Sequence, residues 1–493
     1  MEKSELRSED IIKRRSIFYK AFSIYGEPAG FYDFGPIGLA IKRNIERAWR
    51  RAVPEHPGFI EIEVTTLAPE TVFKASGHLS TFTDPIIVCS SCHSGNRADK
   101  ILESFYSKKN DKAAITALRK MDINSMEAEI KKNKLKCEKC GIELTGKVEY
   151  FNLMFKTHAG QGTAEPMYLR PETAQGIFMD FKELYRLNSL KLPCAICQSG
   201  KAYRNEISPR QQLVRMREFT QMEAELFYDP KTDFSSTPLG KYSKSHKIFD
   251  TKILFAESGK DPEHISIREL IDTKKVPNEY FAFMIYKDYE FMKSIGFETE
   301  EYWFREIEKE ELPHYSRCNL DVEIETSYGT IEVTGIADRG TFDLQSHSKL
   351  SGEDLSIMNG EEKVLPSVAE LSVGLDRILL AMLDKKTVDD KERGWKWLKL
   401  EKSIAPYDYS IFPLQKDEKL VTMAVKISEH LRNKGLKCNY SDSASIGKRY
   451  AKSDEIGIAN AITVDFQSLE DNTVTIRDRN TAEQRRIKWE EIS

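Results

Sequence analysis

Two Cys-x-x-Cys pairs, Cys89-Ser90-Ser91-Cys92 and Cys137-Glu138-Lys139-Cys140, fix more of this chain's path than anything else in it. A two-residue spacer lets both sulfurs of a pair reach one ion, and two pairs close a tetrahedral four-thiolate shell suited to zinc. The chain must then leave one point and return to it, so the residues between form an excursion. Four thiolates leave no open coordination position, which makes the expected ion structural. Two other readings of the spacing stand beside this one: two unrelated redox or buried pairs, and His93 as a competing ligand. Cys194-Ala195-Ile196-Cys197 has the same spacing but no matching second pair. Reduced thiols in apolar packing are the expectation there, with a second metal or redox site as the alternative. Cys318 and Cys438 read as core residues.

A chain of 493 residues exceeds what one core usually organises, so two to four domains are expected. Eight cysteines are too few for a disulfide scaffold at this length. The opening Met1-Glu2-Lys3-Ser4-Glu5 has no apolar stretch behind it, and no window approaches a membrane-spanning length. A cytoplasmic protein without a membrane partner is the expectation. The formal charge of -4 carries no global nucleic-acid signal, so an RNA partner has to be argued locally. Residues 101–136 hold nine Lys/Arg against five Asp/Glu, which fits a solvated helical excursion or a basic tip touching RNA phosphate.

Periodicity predicts a helix over 10–22, a turn-rich stretch over 27–38, and a helix opened by Pro36 and ended by Pro54. A strand is expected over 59–67, a helix from Pro171 to Tyr185, and strands over 202–207 and 217–228 joined by the loop 208–212. Residues 229–315 are mixed in charge and read as an insertion outside the core. Strands are expected at 322–325 and 330–333, a helix over 369–383 and a charged linker over 385–393. From Ile404 strands alternate with helices, the pattern of a small α/β domain.

In the strand–loop–strand hairpin, Arg204, Glu206, Phe219, Glu223 and Glu225 fall on one face by their even spacing. Arg377 stands at the beginning of an apolar helix and Glu172 at the start of another. Salt-bridged surface strands are the plainer reading of the hairpin. Together, however, these are the residue types needed to join a carboxylic acid to ATP. Attack on the α-phosphate develops charge that arginines and Mg²⁺ stabilise, and an aromatic face with an arginine plane can sandwich adenine. The sequence has no Gly-x-x-x-x-Gly-Lys-Ser/Thr or Gly-x-Gly-x-x-Gly run, so the usual helix-capped phosphate sites are not expected.

A series of ordered motifs runs along nearly the whole chain. They are Gly30-Phe31-Tyr32-Asp33-Phe34-Gly35-Pro36, Ala75-Ser76-Gly77-His78 with Asp84-Pro85, and Leu169-Arg170-Pro171-Glu172-Thr173-Ala174-Gln175-Gly176. Further motifs are Arg204-Asn205-Glu206-Ile207-Ser208-Pro209-Arg210, Gly335-Ile336-Ala337-Asp338-Arg339, Ile446-Gly447-Lys448-Arg449-Tyr450-Ala451 and Asp454-Glu455-Ile456-Gly457. Together they resemble the glycyl-tRNA synthetases of the homodimeric archaeal and eukaryotic kind. The resemblance implies an α+β fold, a six- or seven-stranded class II antiparallel sheet flanked by helices. It adds a zinc-ribbon insertion and a C-terminal α/β anticodon-binding domain. It divides the chain into core with motif 1 (1–88), zinc-binding insertion (89–150), core with motif 2 (151–228), an insertion near the tRNA acceptor stem (229–315), core with motif 3 (316–400) and anticodon-binding domain (401–493).

By position in the resembling motifs, Arg204 would hold the α-phosphate and the glycine carboxylate. Glu206 and Arg215 would hold ATP, Phe219 one face of adenine, and Arg377 the other face and the γ-phosphate. Glu172, Glu223, Glu370 and Ser372 fall where the family binds glycine, and Glu332 is a further candidate. The zinc ligands would be Cys89, Cys92, Cys137 and Cys140. The implied partners are ATP with Mg²⁺, glycine, tRNA(Gly) and a second copy of the chain. Glycine offers an ammonium and no side chain, so clustered carboxylates can recognise it by charge and three N–H donors. Where the family has Glu-Pro-Ser at motif 3, this chain has Glu370-Leu371-Ser372, which keeps both polar residues. Two rivals remain at this stage: a class II synthetase for another small amino acid, and a non-catalytic zinc-ribbon RNA-binding relative.

Overall fold

The computed structural model describes residues 7–118, 120–160, 165–209, 211–243, 250–256, 261–309 and 311–492. Residues 1–6 and Arg210, both used in the sequence reading, lie outside them. At its centre is a nine-stranded sheet built from β1 (Phe59–Glu61), β2 (Cys194–Tyr203), β3 (Glu218–Tyr228), β4 (Asp250–Leu254), β5 (Glu263–Ser266), β6 (Trp303–Glu306), β7 (Asn319–Thr326), β8 (Gly329–Gly340) and β9 (Ser367–Gly374). The spatial order is β5-β4-β6-β7-β8-β9-β3-β2-β1. The central strands β7-β8-β9-β3-β2 are antiparallel, and parallel pairings occur only where β1 joins β2 and β4 joins β6. The sheet is thus wider than the six or seven strands expected.

Helices cover both faces. On one, α1 (Pro36–Ala52), α3 (Glu279–Ser294) and α5 (Leu375–Lys385) bury Ile41, Ile45, Trp49, Phe281, Phe291 and Leu379 against even-numbered residues of β3 such as Met222, Ala224 and Leu226. On the other, α2 (Ala174–Leu187) and α4 (Phe342–Ser351) pack Ile177, Phe178 and Leu344 on Ile196 and Phe227. Burying aliphatic and aromatic side chains at this scale, roughly 1.5–3 kcal/mol each, is what holds the layers together. The odd-numbered positions of β3 face the α2 side, and beyond the N-terminus of α2 that face becomes polar.

The structure corrects several local expectations. The helix expected over 10–22 stops at Arg14, because Ser16 turns the chain with φ 46 and Phe18–Lys20 pairs instead with Tyr32–Phe34. The strand over 59–67 splits into Phe59–Glu61 and Leu67–Pro69, which belong to different sheets. The helix over 369–383 is strand β9 followed by α5; β9 is buried on both faces, which erases the alternation that marks a strand. The linker over 385–393 holds a hairpin strand, Thr387–Asp390, paired with Trp395–Leu398. Residues 229–315 are not outside the core: they supply β4, β5, β6 and the buried helix α3.

Two further units have cores of their own. Residues from Thr83 to Asn152 form a three-stranded sheet with helices Ala98–Lys108, Lys112–Leu118 and Ile123–Lys132 around Leu102, Ile130 and Leu144. The C-terminal unit is a five-stranded sheet ordered Cys438–Tyr440, Tyr409–Pro413, Asn460–Val464, Thr473–Asp478, Gln484–Lys488. Helix Glu418–Asn433 packs on it through Leu420, Ile427 and Leu431. Ile404 belongs to the central core, and Asn44 of α1 donates to the Ala405 carbonyl at 2.7 Å, so the chain leaves the core only after these residues. Among the described residues no helix is long and apolar enough to cross a membrane.

Candidate active site

A cleft of about 370 Å³ opens on the polar stretch of the sheet. Its lining includes all ten of the residues singled out for substrate: Glu172, Arg204, Glu206, Arg215, Phe219, Glu223, Glu332, Glu370, Ser372 and Arg377. They come from β3, β8, β9, the first turn of α5, the segment before α2 and the loop after β2. Two of them reach the cleft by a route other than the shared strand face expected from their spacing. Arg204 and Glu206 do not share a strand face with Phe219 and Glu223, because β2 ends at Tyr203. They reach the cleft from the loop, which the Arg204 amide ties to the Arg217 carbonyl at 3.0 Å.

The closed end of the cleft is acidic. Register places Glu223 opposite Ser372 and Glu225 opposite Glu370 across β3 and β9. Glu223 accepts from Ser372 Oγ at 2.8 Å and from the Thr173 hydroxyl. Glu172 accepts from Gln175 Nε2 at 2.7 Å and lies 3.4 Å from His78 Nε2. Glu370 is paired with Arg339, which also grips Asp343 through two N–H groups at 2.7 and 2.9 Å. Arg339 is buried, its guanidinium lying 3.8 Å from the Tyr315 ring centroid and 5.1 Å from that of Phe178.

One buried arginine thus faces several carboxylates, and their ionisation divides accordingly. Burial raises Glu172, but His78 and Arg339 outweigh it and hold the carboxyl well below the usual range. Burial, against the pull of Arg339 and with the repulsion of Glu223 and Glu172, pushes Glu370 up to about 8. Burial and Glu172 also raise Glu223. Without another cation the cluster cannot carry its full negative charge, and an ammonium supplies one.

The open end carries the cationic and aromatic groups. The Arg204 guanidinium sits 5.3 Å from the Phe219 ring centroid and 5.4 Å from that of Phe82, and its Nε donates to the Pro171 carbonyl at 3.2 Å. Arg215 approaches Glu206 at 3.7 Å. Arg377 is held by the Val214 carbonyl at 3.0 Å, the Glu332 carbonyl at 2.9 Å and the Glu332 carboxylate at 3.3 Å. Its neighbour Asp376 is fixed by an ion pair with Lys42 of α1 and accepts from the Thr220 amide at 2.6 Å. The expected dimer-forming helix therefore also sets the turn that presents Arg377.

Sequence reasoning assigned no site role to Arg339, His78 or Gln175, although each stood in a quoted motif. Tyr315, Arg305 and Asp321 line the cleft as well and were hidden in or beside the supposed insertion. A lone tyrosine in a mixed-charge stretch gives no sequence signal.

In the 83–152 unit, the Sγ atoms of Cys89, Cys92, Cys137 and Cys140 all lie within 4.8 Å of one another. Cys89 and Cys140 are 3.6 Å apart, and Cys92 and Cys137 3.7 Å. A tetrahedral zinc–thiolate site with bonds of about 2.3 Å requires sulfur separations of about 3.8 Å. The four thiols therefore stand where one metal ion would hold them, and His93 is not among the clustered ligand atoms. Cys194 and Cys197 are different: three positions apart on β2, they point to opposite faces and join different core clusters. Burial pushes the Cys194 thiol up to about 12 and raises Cys197 as well, as for inert packed cysteines.

The mostly antiparallel sheet with an arginine-and-carboxylate cleft defines a class II aminoacyl-tRNA synthetase core. Residues 155–386 match the family described as tRNA synthetase class II core domain (G, H, P, S and T), and residues 408–493 match the Anticodon binding domain family. Among similar proteins, the glycine–tRNA ligase of Pyrococcus horikoshii is 35% identical over 98% of this chain and 96% of its own length. That of Methanocaldococcus jannaschii is 35% identical over 98% and 96%, and that of Methanothrix thermoacetophila 35% over 97% and 94%. The chain belongs to the glycine–tRNA ligase family. A solved structure of Giardia lamblia prolyl-tRNA synthetase in complex with prolyl-adenylate shares the fold, with a TM-score of 0.61 at 15% identity over 98% of this chain and 74% of that one.

Proposed function

We propose that the cleft condenses glycine with ATP and then passes the glycyl group to tRNA(Gly), with Glu172, Glu223 and Glu370 holding the glycine ammonium. A glycine carboxylate oxygen attacks the α-phosphorus, the bond from that phosphorus to the bridging oxygen breaks, and diphosphate leaves. A ribose hydroxyl of the tRNA end then attacks the glycyl carbonyl and AMP departs. Arg204 lines the cleft and donates to the carbonyl of Pro171, the residue before Glu172, so it can face both the glycine carboxylate and the α-phosphate. Its charge opposes the negative charge that develops there. Phe219 offers one face for adenine, Arg377 the opposing cation, and Glu206 with Arg215 the polar edge. With nothing covalent required of the protein, alignment and charge stabilisation suffice.

Mg²⁺ belongs to this reading as the ion that arrives with ATP and neutralises its phosphates. Asp321 and Glu332 are the carboxylates that would hold it. Burial, together with Glu332, pushes Asp321 up to about 7, a repulsion that a cation relieves. The cysteine cluster would hold a structural Zn²⁺, and the C-terminal unit would meet the tRNA anticodon. A homodimer is part of the same reading. Tyr19, Phe22, Ile24 and Tyr25 lie exposed on one short segment, an apolar patch that a second copy could cover.

The observation that carries the proposal is the placement of three carboxylates at the closed end of the cleft that also holds Arg204, Phe219 and Arg377. ATP–diphosphate exchange measured with each of the twenty amino acids tests it. Exchange with glycine alone is expected; exchange driven by a different amino acid, or none from a folded protein, would reject it.

A further inference from the structure

Glu225 lies two residues along β3 from Glu223, on the same face, and is absent from the cleft lining. It is fully buried, and among the described residues neither carboxyl oxygen has a hydrogen-bond partner. Every other carboxylate of the cluster is engaged: Glu172 by Gln175, Glu223 by Thr173 and Ser372, Glu370 and Asp343 by Arg339. Among the described residues Arg339, which pairs with both Glu370 and Asp343, is the one arginine gripping these carboxylates, and it gives Glu225 no hydrogen bond. An ionised carboxylate in that position would bear a desolvation cost with nothing to offset it.

A protonated carboxyl has a different use, because it is a donor. The residue directly opposite Glu225 on β9 is Glu370. Facing residues in adjacent strands have Cβ atoms about 4.5–5.5 Å apart, which two glutamate side chains bridge easily. Arg339 engages Glu370 Oε2 from the β8 side, so a second donor from β3 would clamp the carboxylate between two fixed groups. The charged groups that act on Glu225 are Glu370, Arg339, Glu223 and Asp343, and burial with Glu370 raises its carboxyl well above the usual range.

We propose that Glu225 is a positioning residue that keeps its proton and donates it as a hydrogen bond to Glu370, fixing the carboxylate that meets the glycine ammonium. Glu225 touches no substrate. Its effect passes through the orientation of Glu370, and the inference rests on the assignment of Glu370 to the ammonium. Hydrogen bonds to a charged acceptor are among the stronger ones, and misaligning this one weakens glycine binding without touching ATP.

The test compares Glu225→Gln, Glu225→Leu and Glu370→Gln by the KM for glycine and for ATP in diphosphate exchange. Glu225→Leu is expected to raise the glycine KM by about tenfold or more and leave the ATP KM alone. Glu225→Gln, whose amide donates as the acid does, should recover most of that loss. Equal damage by Gln and Leu would mean that the charge of Glu225 matters, and wild-type behaviour of Leu would make the residue mere filling; either overturns the proposal. Should Glu225→Leu fail to fold, infrared difference spectra of the wild type against Glu225→Gln, at a pH above the Glu370 titration, decide the matter. A protonated-carboxyl band lost in the variant is expected, and no difference overturns the proposal. Glu370→Gln serves as the separate control: an unchanged glycine KM there would sink the pocket assignment itself, whatever Glu225 does.

Discussion

Replacing Glu223 by alanine removes one of the three groups proposed to hold the glycine ammonium. Breaking one partner of a buried charged interaction costs about 2–5 kcal/mol. The structure argues for the lower part of that range. Glu172 and Glu370 stay in place, so the ammonium is not left unpaired, and the repulsion that raises Glu223 is relieved. The hydroxyls of Thr173 and Ser372 lose their acceptor, a smaller neutral penalty. A loss of about 2–3.5 kcal/mol corresponds to a roughly 30- to 300-fold fall in kcat/KM for glycine. Alanine adds a direction to the test. A pocket that merely accommodates would separate the two amino acids by only about 1–3 kcal/mol, so rejection has to come from holding the ammonium so firmly that the ligand cannot slide from a clash. Glu223→Ala should therefore penalise glycine more than alanine and narrow their ratio, while Ser372→Ala costs about 1–2 kcal/mol. The assay is diphosphate exchange with each amino acid, with thermal melting to confirm folding. Equal proportional losses for the two would show that Glu223 binds without restraining position, and no loss at all would show that the pocket lies on another strand.

Arg377→Ala should raise the KM for ATP and slow exchange, since Val214 and Glu332 hold that guanidinium at the open end of the cleft; unchanged kinetics in a folded variant would remove it from the site. The Glu370 carboxyl, raised to about 8, is protonated in much of the free enzyme at neutral pH, and an incoming ammonium favours its ionised form. The glycine KM should accordingly fall as pH rises toward about 8 and level off above it; a flat profile would contradict the cluster's electrostatics. The same raised carboxyl contributes stability that is fully present below its unfolded-state pKa and lost as pH rises through about 8, so the ligand-free Tm should decline over that window. Replacing Cys89 and Cys137 together by serine should abolish metal content and loosen the 83–152 unit more than it slows adenylate formation; one zinc per chain retained would defeat the four-thiolate assignment.

How much of this was legible in the sequence follows from what each signal depends on. The cysteine pairs were readable because their spacing is local and the ion's geometry does the rest. Helix α1 was readable because Pro36 and Pro54 bracket a regular period. Strand β9 was not, because burial on both faces removes its alternation, and the apolar α5 directly behind it completes the appearance of one long helix. Helix α3 looked peripheral because Lys287, Asp288 and Glu290 sit among its aromatic residues, although Lys287 and Asp288 are themselves buried. Within the site, the motifs named ten residues that line the cleft but not Arg305, Tyr315 or Asp321. Arg339 and Glu225 were both named in the sequence, but their place beside Glu370 follows only from cross-strand register and burial. Such pairing is set by long-range strand contacts that no short window contains.

Recognition of glycine in this cleft turns on whether Glu172, Glu223 and Glu370 receive its ammonium. A crystal structure of the protein with a non-hydrolysable glycyl-adenylate analogue tests it most directly. The analogue's ammonium is expected within charge-assisted hydrogen-bond distance, about 2.7–2.9 Å, of these three carboxylates, with its phosphoryl analogue beside Arg204 and its adenine against Phe219. An ammonium seated elsewhere, with the three carboxylates still engaged by Thr173, Ser372, Gln175, His78 and Arg339, would refute the assignment.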